Sequence, residues 1–175
     1  LEKEYLDCTV VNFDEATYRL VPFIRKIWAL KGTKPKGIFW WSNKKANMFG
    51  ALIDGKKLHY EWYDKLNTIS FIDFMKRFVA TLDTHKKYVF IFDNGPAHKS
   101  KKSKEYLDSL GRNIFVEFLP PYSPQLNCIE TCWKIIRYNV TNSNFFQSIE
   151  LLKKGVETFL EGHYFMLNPN NYLIR

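Results

Sequence analysis

The chain has 175 residues, of which 46% are hydrophobic and 17% aromatic, enough for one domain with a substantial core and too few for two ordinary domains. Its 26 Lys and Arg against 18 Asp and Glu give a net charge of +8, which favours a polyanionic partner, nucleic acid before an acidic membrane. No apolar run approaches the ~20 residues that span a bilayer, and no signal-peptide pattern opens the chain, so we expect a soluble intracellular protein.

Apolar runs and turn signals predict the strands. The extended segments are, in chain order, Cys8–Phe13 ending at Asp14-Glu15, Ile38–Trp41, Asn47–Ile53, Leu58–Tyr63, Tyr88–Phe92 and Ile114–Leu119. Asp54-Gly55 is a strong hairpin signal between the third and fourth of these segments, which predicts an antiparallel meander.

Helical spacing of apolar residues predicts four helices. They are Thr68–Leu82, Ser100–Leu110 closed by Gly111, a helix capped by Ser123-Pro124 that runs through Val140, and a last helix at about Ser148–Leu160. No structure is predicted for residues 163–175, and Trp28 and Trp133 are expected in the core. The order of elements indicates an α/β fold, a mixed sheet with helices on its faces, whose second half has parallel strands.

The three cysteines, Cys8, Cys128 and Cys132, make a disulfide framework improbable and favour a reducing compartment. Cys128 and Cys132 are four residues apart on a predicted helix, but no second Cys or His pair lies near them in sequence. We therefore interpret them as small buried side chains rather than zinc ligands.

Three carboxylates stand out because of where they lie. Asp14 and Asp93 follow apolar strands, and Glu130 borders the apolar stripe of its helix. Each has an ordinary explanation: a polar strand end for Asp14, a turn former for Asp93, and a surface ion pair with Lys134 for Glu130. Taken together they can converge on one edge of the sheet, where acidic groups repel one another and Mg²⁺ is the usual remedy.

Two motifs surround these carboxylates. They are Asp93-Asn94-Gly95-Pro96-Ala97-His98 and Leu119-Pro120-Pro121-Tyr122-Ser123-Pro124-Gln125-Leu126-Asn127-Cys128-Ile129-Glu130-Thr131-Cys132-Trp133-Lys134. They closely resemble the second and third catalytic blocks of the mariner superfamily of DDE transposases, particularly its prokaryotic insertion-sequence branch. Phe13-Asp14-Glu15 with Trp28-Ala29-Leu30-Lys31-Gly32 resembles the first block, and the 36 residues between Asp93 and Glu130 are similar to the family spacing.

This resemblance implies an RNase H-like fold, a mixed five-stranded sheet with helices on both faces, in one catalytic domain over residues 1–175. It implies that Asp14, Asp93 and Glu130 hold two Mg²⁺ ions, for which Mn²⁺ can substitute. Asp14 rather than Glu15 matches the ligand, because successive strand residues point to opposite faces. Gln125 and Cys128 depart from the family pattern, which has an acidic residue and a proline there.

The family's activity is cleavage at transposon ends and transfer of the 3′ end into target DNA by paired subunits. The resemblance thus implies DNA as partner, a homodimer in the transposition complex, no membrane, and a nucleoid-associated place in a prokaryotic cytoplasm. The family's N-terminal helix-turn-helix region does not occur in these 175 residues. His98 and Asn127 are auxiliary candidates: His98 to contact the scissile phosphate or orient a ligand, and Asn127 to bond the loop or a nucleotide.

A dense basic cluster follows Asp93. Its members are Lys99, Lys101, Lys102 and Lys104. They can grip a phosphate backbone or form a plain solvated helix face.

Two other interpretations of the whole chain stay open. One is an RNase H-like nuclease that cleaves without joining ends. The other is an inactive or domesticated nucleic-acid-binding module, against which the intact acidic triad argues. A nucleotide-binding enzyme is remote, because no glycine-rich phosphate loop follows a strand.

Overall fold

The computed structural model describes residues 5, 7–20, 30–33, 42–142 and 144–173. The predicted strand at Ile38–Trp41 lies outside these ranges, as does Trp28. Within them, no helix combines the length and the apolar character that a membrane crossing requires.

One five-stranded mixed sheet forms the centre of the fold. Its strands are β1 (Cys8–Arg19), β2 (Lys45–Ile53), β3 (Lys57–Tyr63), β4 (Lys87–Phe92) and β5 (Ile114–Phe118). The spatial order is β3-β2-β1-β4-β5; β1, β2 and β3 are antiparallel neighbours, whereas β4 is parallel to β1 and β5 is parallel to β4. The predicted antiparallel pair of β2 and β3 and the predicted parallel half are confirmed, whereas the first segment of the predicted meander, Ile38–Trp41, lies outside the described residues.

The first strand is longer than its sequence indicates. The predicted end before Asp14-Glu15 is wrong, because β1 continues through both carboxylates and pairs with β2 as far as Arg19. Ala16 and Tyr18 are buried beyond them, so the alternation of faces resumes after the two acidic residues. Asp14 therefore lies inside a central strand, where its side chain is committed to one face of the sheet.

The β2–β3 hairpin turns at Asp54-Gly55, as predicted. Both residues have positive φ, 48° and 67°, and the Lys56 N–H donates to the Ile53 carbonyl in the three-residue loop between the paired Ile53 and Lys57. The chain after residue 163 packs on this turn: the Phe165 N–H donates to the Lys56 carbonyl, and the Leu167 N–H donates to the Gly55 carbonyl. The segment for which no structure was predicted is thus bonded to the β2–β3 hairpin and includes a short helix, Asn170–Leu173.

The helices before β5 follow their sequence signals closely. Helix α1 (Thr68–Ala80) begins with a reciprocal cap between Asn67 and Ser70. A short helix α2 (Pro96–Lys99) precedes α3 (Lys101–Asp108), whose N-cap is Ser100. The predicted closure by Gly111 is wrong, because α3 ends earlier, at a C-cap formed by Ser109.

The long helix predicted from Ser123 to Val140 is three elements. A 3₁₀ turn covers Pro124–Leu126, helix α4 runs over Ile129–Ile136, and a π-helical turn covers Arg137–Thr141. The interruption lies at Asn127, whose backbone is extended (φ −95°, ψ 108°), and whose side chain bonds to β1. The next helix, α5 (Ile149–Leu160), begins at an N-cap formed by Ser148, as predicted, and Asn170–Leu173 is α6.

Helices cover both faces of the sheet. One face packs against α1 and α3, through Val11, Phe13, Phe49, Phe71, Phe74, Phe78, Phe90 and Leu107. The other packs against α4 and α5, through Ala16, Tyr18, Met48, Cys132, Trp133, Ile136, Leu152 and Val156. We call the second face the α4 face; Asp14 has the parity of Ala16 and Tyr18 and therefore points to it.

Candidate active site

The register of β1 and β4 brings two of the three predicted carboxylates together. These parallel strands pair up to Asn12↔Ile91. Continued by two positions, the register sets Asp14 beside Asp93, the first residue after β4, and adjacent strands lie about 4.8 Å apart. Asp93 thus lies at the carboxyl end of its strand, where chemistry gathers in such sheets, and Asp14 is next to it within β1.

Asp14 is a buried carboxylate without a charged partner. It is 9% exposed, and within the described part of the chain no Lys, Arg or His forms an ion pair with it. Burial, and then the negative charges of Glu15 and Glu130, raise its pKa to about 8. The indole N–H of Trp133 donates a hydrogen bond to Asp14 Oδ2 (2.9 Å). A neutral donor therefore orients a carboxyl group that has no ion-pair partner among the described residues.

Glu130 lies in the first turn of α4 and is half-buried. Its charge reaches Asp14, since it is one of the causes of the raised pKa there. The alternative of a surface ion pair is not realised, because Glu130 and Lys134 form none in the described chain. When both groups are ionised, Asp14 and Glu130 repel each other, and a bound cation would relieve that repulsion.

Buried polar contacts fasten the start of α4 to β1. The Asn127 side chain donates to the Phe13 carbonyl (2.9 Å) and accepts from Asn12 Nδ2 (3.1 Å). The Cys128 thiol donates to Asn12 Oδ1 (3.1 Å). Asn127 thus uses both ends of its amide on β1, three residues before Glu130, and holds the start of α4 against the strand that carries Asp14.

Asp93 is bonded to a buried histidine. His98 Nδ1 and Asp93 Oδ1 are 2.7 Å apart, and the Gly95 N–H donates to the same oxygen (2.8 Å). His98 Nε2 lies 3.3 Å from Glu15 Oε2, without the alignment of a good hydrogen bond. We call Asp93, His98 and Glu15 the histidine bridge.

The His98 side chain of this bridge carries a positive charge at neutral pH. Burial alone would lower the pKa of His98, but the hydrogen bond with Asp93 and the negative charges of Asp93 and Glu15 outweigh it and raise that pKa to about 9. The hydrogen bond from His98 in turn lowers the pKa of Asp93. His98 also packs against Phe71 and Phe92, which explains how its ring is held.

The predicted carboxylates are therefore arranged as a pair and a neighbour. The charge of Glu130 raises the pKa of Asp14, whereas Asp93 is hydrogen-bonded to His98. Over the described ranges, no three or more His, Cys, Asp or Glu side chains are grouped so as to hold a metal ion. What the residues offer is a set of carboxylate oxygens with an excess of negative charge, the donor set that Mg²⁺ and Mn²⁺ prefer.

Sequence reasoning missed two participants, Trp133 and Glu15. Trp133 was expected only in the core, and it is there, 1% exposed, but its N–H reaches Asp14. Glu15 was weighed only against Asp14 as a ligand, whereas it faces His98. The available signal was that a buried indole N–H and a mid-strand carboxylate both require partners.

The four lysines after Asp93 are all exposed, on α2 and the first turn of α3. Three of them, Lys101, Lys102 and Lys104, occupy the positive end of the helix dipole, where acidic residues would stabilise the helix. A weak contact of Lys101 with Glu105 (3.9 Å) hardly compensates. Helix stability therefore does not account for Lys101, Lys102 and Lys104 at this end of α3.

Known proteins resemble the chain in sequence and in fold. The family described as DDE superfamily endonuclease matches residues 9–153. The insertion element IS630 uncharacterized 39 kDa protein of Shigella sonnei is 30% identical over 149 residues, covering 85% of this chain and 43% of that protein. The chain thus spans less than half of this relative.

Solved structures resemble the fold over almost its whole length. The Mos1 strand transfer complex has a TM-score of 0.73 at 18% identity, covering 98% of this chain and 51% of that one. The Mos1 mariner paired end complex with Mn gives 0.73 at 18%, covering 98% and 52%. The expected RNase H-like fold and the resemblance to mariner transposases are confirmed, and the chain belongs to the DDE superfamily endonuclease family.

Proposed function

We propose that the chain is the metal-dependent catalytic domain of a DNA transposase, which cuts the phosphodiester at transposon ends and joins the freed 3′ end to target DNA. The observation that carries this proposal is Asp14, buried without a cation, beside Glu130 and next in register to Asp93. A protein gains nothing in stability from such an arrangement, whereas a divalent cation site requires it.

Asp14, Asp93 and Glu130 would hold two Mg²⁺ or Mn²⁺ ions. Their oxygens fit these ions because Asp14 and Glu130 repel each other when both are ionised, and none of the described residues forms an ion pair with Asp14. Bound divalent ions supply a lowered pKa for an attacking water or 3′-hydroxyl and stabilisation of the leaving oxygen. A similar structure, the Mos1 paired end complex, is described with Mn, which supports the choice of ion.

The other residues of the site position the triad. His98 fixes the rotation of Asp93 through the bond to Oδ1, which leaves Oδ2 for a ligand. Asn127 fixes the start of α4 on β1 and so sets the position of Glu130. With both amide ends bonded to β1, Asn127 acts on the protein rather than on a nucleotide.

DNA is the proposed partner. Lys99, Lys101, Lys102 and Lys104 follow Asp93 directly and are exposed, so they can contact the phosphates on either side of a bond held at the triad. The net charge of +8 supports the same partner. Since the Mos1 complexes are described as paired end and strand transfer complexes, we also propose that two subunits act together on two ends.

We further propose that residues 1–175 form one domain of a longer nucleoid-associated protein in a prokaryotic cytoplasm. The chain spans 43% of the insertion-element relative, which supports a longer parent protein. Recognition of transposon ends then belongs to the remainder of that protein.

Metal binding and DNA cutting test the proposal. The purified protein should bind Mn²⁺ in calorimetry and nick supercoiled plasmid DNA with Mg²⁺ or Mn²⁺. Asp93→Asn and Glu130→Gln should each lower the nicking rate by at least about 10³-fold, since each removes several kcal/mol of transition-state stabilisation. Asp108→Asn is the matched control, because it makes the same carboxylate-to-carboxamide change at an exposed position of α3. It should leave the rate unchanged.

Full nicking by either triad variant would refute the assignment of that residue. The rival nuclease function predicts nicking without joining, so an assay with precut 3′ ends separates it from a transposase. A non-catalytic module predicts DNA binding without Mn²⁺ binding. DNA affinity should survive the triad substitutions and fall steeply with salt, because it depends on Lys and Arg.

A further inference from the structure

Trp133 holds Asp14 from across the core. The two residues are 119 positions apart in sequence, and the indole N–H donates to Asp14 Oδ2 at 2.9 Å in a buried setting. Trp133 is among the largest fully buried side chains, in the cluster between the sheet and helices α4 and α5. Its ring therefore has one position, and the hydrogen bond fixes the rotation of the carboxylate.

Gly50 leaves the space that the Trp133 ring occupies. Gly50 is the β2 partner of Asp14 in the β1–β2 register. A Cβ added to Gly50 would lie 2.5 Å and 2.9 Å from two atoms of the Trp133 ring and 3.2 Å from Leu58. Any larger residue must push the indole away, so the missing side chain at position 50 allows the ring to pass over the sheet and reach Asp14.

The chemistry of the donor matters. A Lys or Arg at this place would orient Asp14 but would also neutralise it and compete with a cation for its charge. The indole N–H is a donor only and carries no charge, so it orients the carboxylate and leaves the negative charge available. The contrast within the protein is direct, because the Asp93 carboxylate is oriented by His98, a group that carries charge.

We propose that Trp133, packed against Gly50, is a positioning residue that orients the Asp14 carboxylate toward a divalent cation. This rests on the proposed function in one respect, that Asp14 is a metal ligand. In metal sites generally, the groups that hold a ligand in orientation affect metal affinity by about 10–100-fold. Trp133 would have this role through its N–H, in addition to its packing.

Trp133→Phe removes the N–H and keeps an aromatic ring. The expected result is a dissociation constant for Mn²⁺, measured by calorimetry, about 10–100-fold weaker than that of the unchanged protein. Trp62→Phe is the matched control, because the Trp62 indole also donates to a carboxylate, Glu157 Oε1 at 2.8 Å, on α5. That control should leave Mn²⁺ affinity unchanged.

The second variant is Gly50→Ala, which displaces the ring while keeping Trp133. Gly50→Ala should weaken Mn²⁺ binding as Trp133→Phe does. It provides the test if Trp133→Phe does not fold. Gly111→Ala is its control, since a Cβ there meets nothing within 4 Å.

A lowered urea midpoint with unchanged Mn²⁺ affinity in the folded variants would mean that Trp133 only packs, and would overturn this inference alone. Absence of Mn²⁺ binding by the unchanged protein would overturn the proposed function with it.

Discussion

Asp14 and Glu15 are consecutive carboxylates of one strand, but they lie on opposite faces of the sheet and have different neighbours. Asp14 points to the α4 face, where a neutral indole N–H holds it and a second carboxylate, Glu130, repels it. Glu15 points to the other face, where His98 stands 3.3 Å away and carries a positive charge. Among the described residues, Asp14 has no ion-pair partner, whereas Glu15 has His98 beside it.

This difference separates a binding role from a supporting role. A carboxylate with an internal counter-ion has little charge left for a ligand, whereas a carboxylate with a neutral donor has no internal cation that competes with a bound one. Asp93 lies between the two cases, since His98 bonds one of its oxygens while the register sets it beside Asp14. The histidine bridge thus links the proposed metal site to the opposite face of the sheet.

The largest expected effect separates the two carboxylates by activity. Asp14→Asn should lower metal-dependent plasmid nicking by at least about 10³-fold, because it removes a proposed ligand. Glu15→Gln should lower it by no more than about 10–100-fold, the range for groups that act on a ligand indirectly. Nicking rates under equal Mn²⁺ and DNA concentrations measure both. Equal losses in the two variants would remove the functional distinction between the faces.

The next effect concerns the stability of the histidine bridge. His98→Leu leaves Asp93 and Glu15 without their cation and should lower the free energy of unfolding by about 2 kcal/mol. This is less than for a fully buried pair, because Asp93 is more than a third exposed and water screens it. Urea unfolding of the two proteins at pH 6 measures the difference.

The pH dependence of that difference has a defined sign. The pKa of His98 is about 9 in the folded protein and near 6.5 in an unfolded chain, so its stabilising contribution is complete below pH 6.5 and disappears as the pH rises through 9. The gap between wild type and His98→Leu should therefore close between pH 6.5 and pH 9.5. A gap that stays constant over this range would contradict a charged His98.

The smallest effect has the opposite direction. In the metal-free protein the pKa of Asp14 is about 8, against about 4 in an unfolded chain, so its ionisation destabilises the fold progressively from pH 4 to pH 8. Asp14→Asn should then raise the free energy of unfolding at pH 9 by about 1–2 kcal/mol and change it little at pH 4. Urea unfolding in a chelator tests this. A less stable variant at pH 9 would show that Asp14 already has its counter-charge.

Local sequence patterns predict much of the fold. The Asp54-Gly55 turn, the Ser148 cap and the apolar runs of β2, β4 and β5 predicted their elements to within a few residues, because each depends on backbone preferences and periodicity of neighbouring residues. The end of β1 was predicted wrongly, because two consecutive acidic residues usually mark the end of a strand. Here Asp14 contacts Trp133 on one face of the sheet and Glu15 contacts His98 on the other, so the strand continues. The long helix after Ser123 was misjudged because the tertiary bond of Asn127 interrupts it.

The sequence by itself also determined which carboxylates to consider, because their motifs and spacing resemble a known family. Only the tertiary structure decided what surrounds them: an indole 119 residues away on Asp14, an amide 114 residues away on the Phe13 carbonyl, and a histidine between Asp93 and Glu15. The physical reason is that periodicity fixes the face on which a side chain lies, whereas its hydrogen-bond partner depends on how α4 and the sheet pack together. No local pattern encodes that packing.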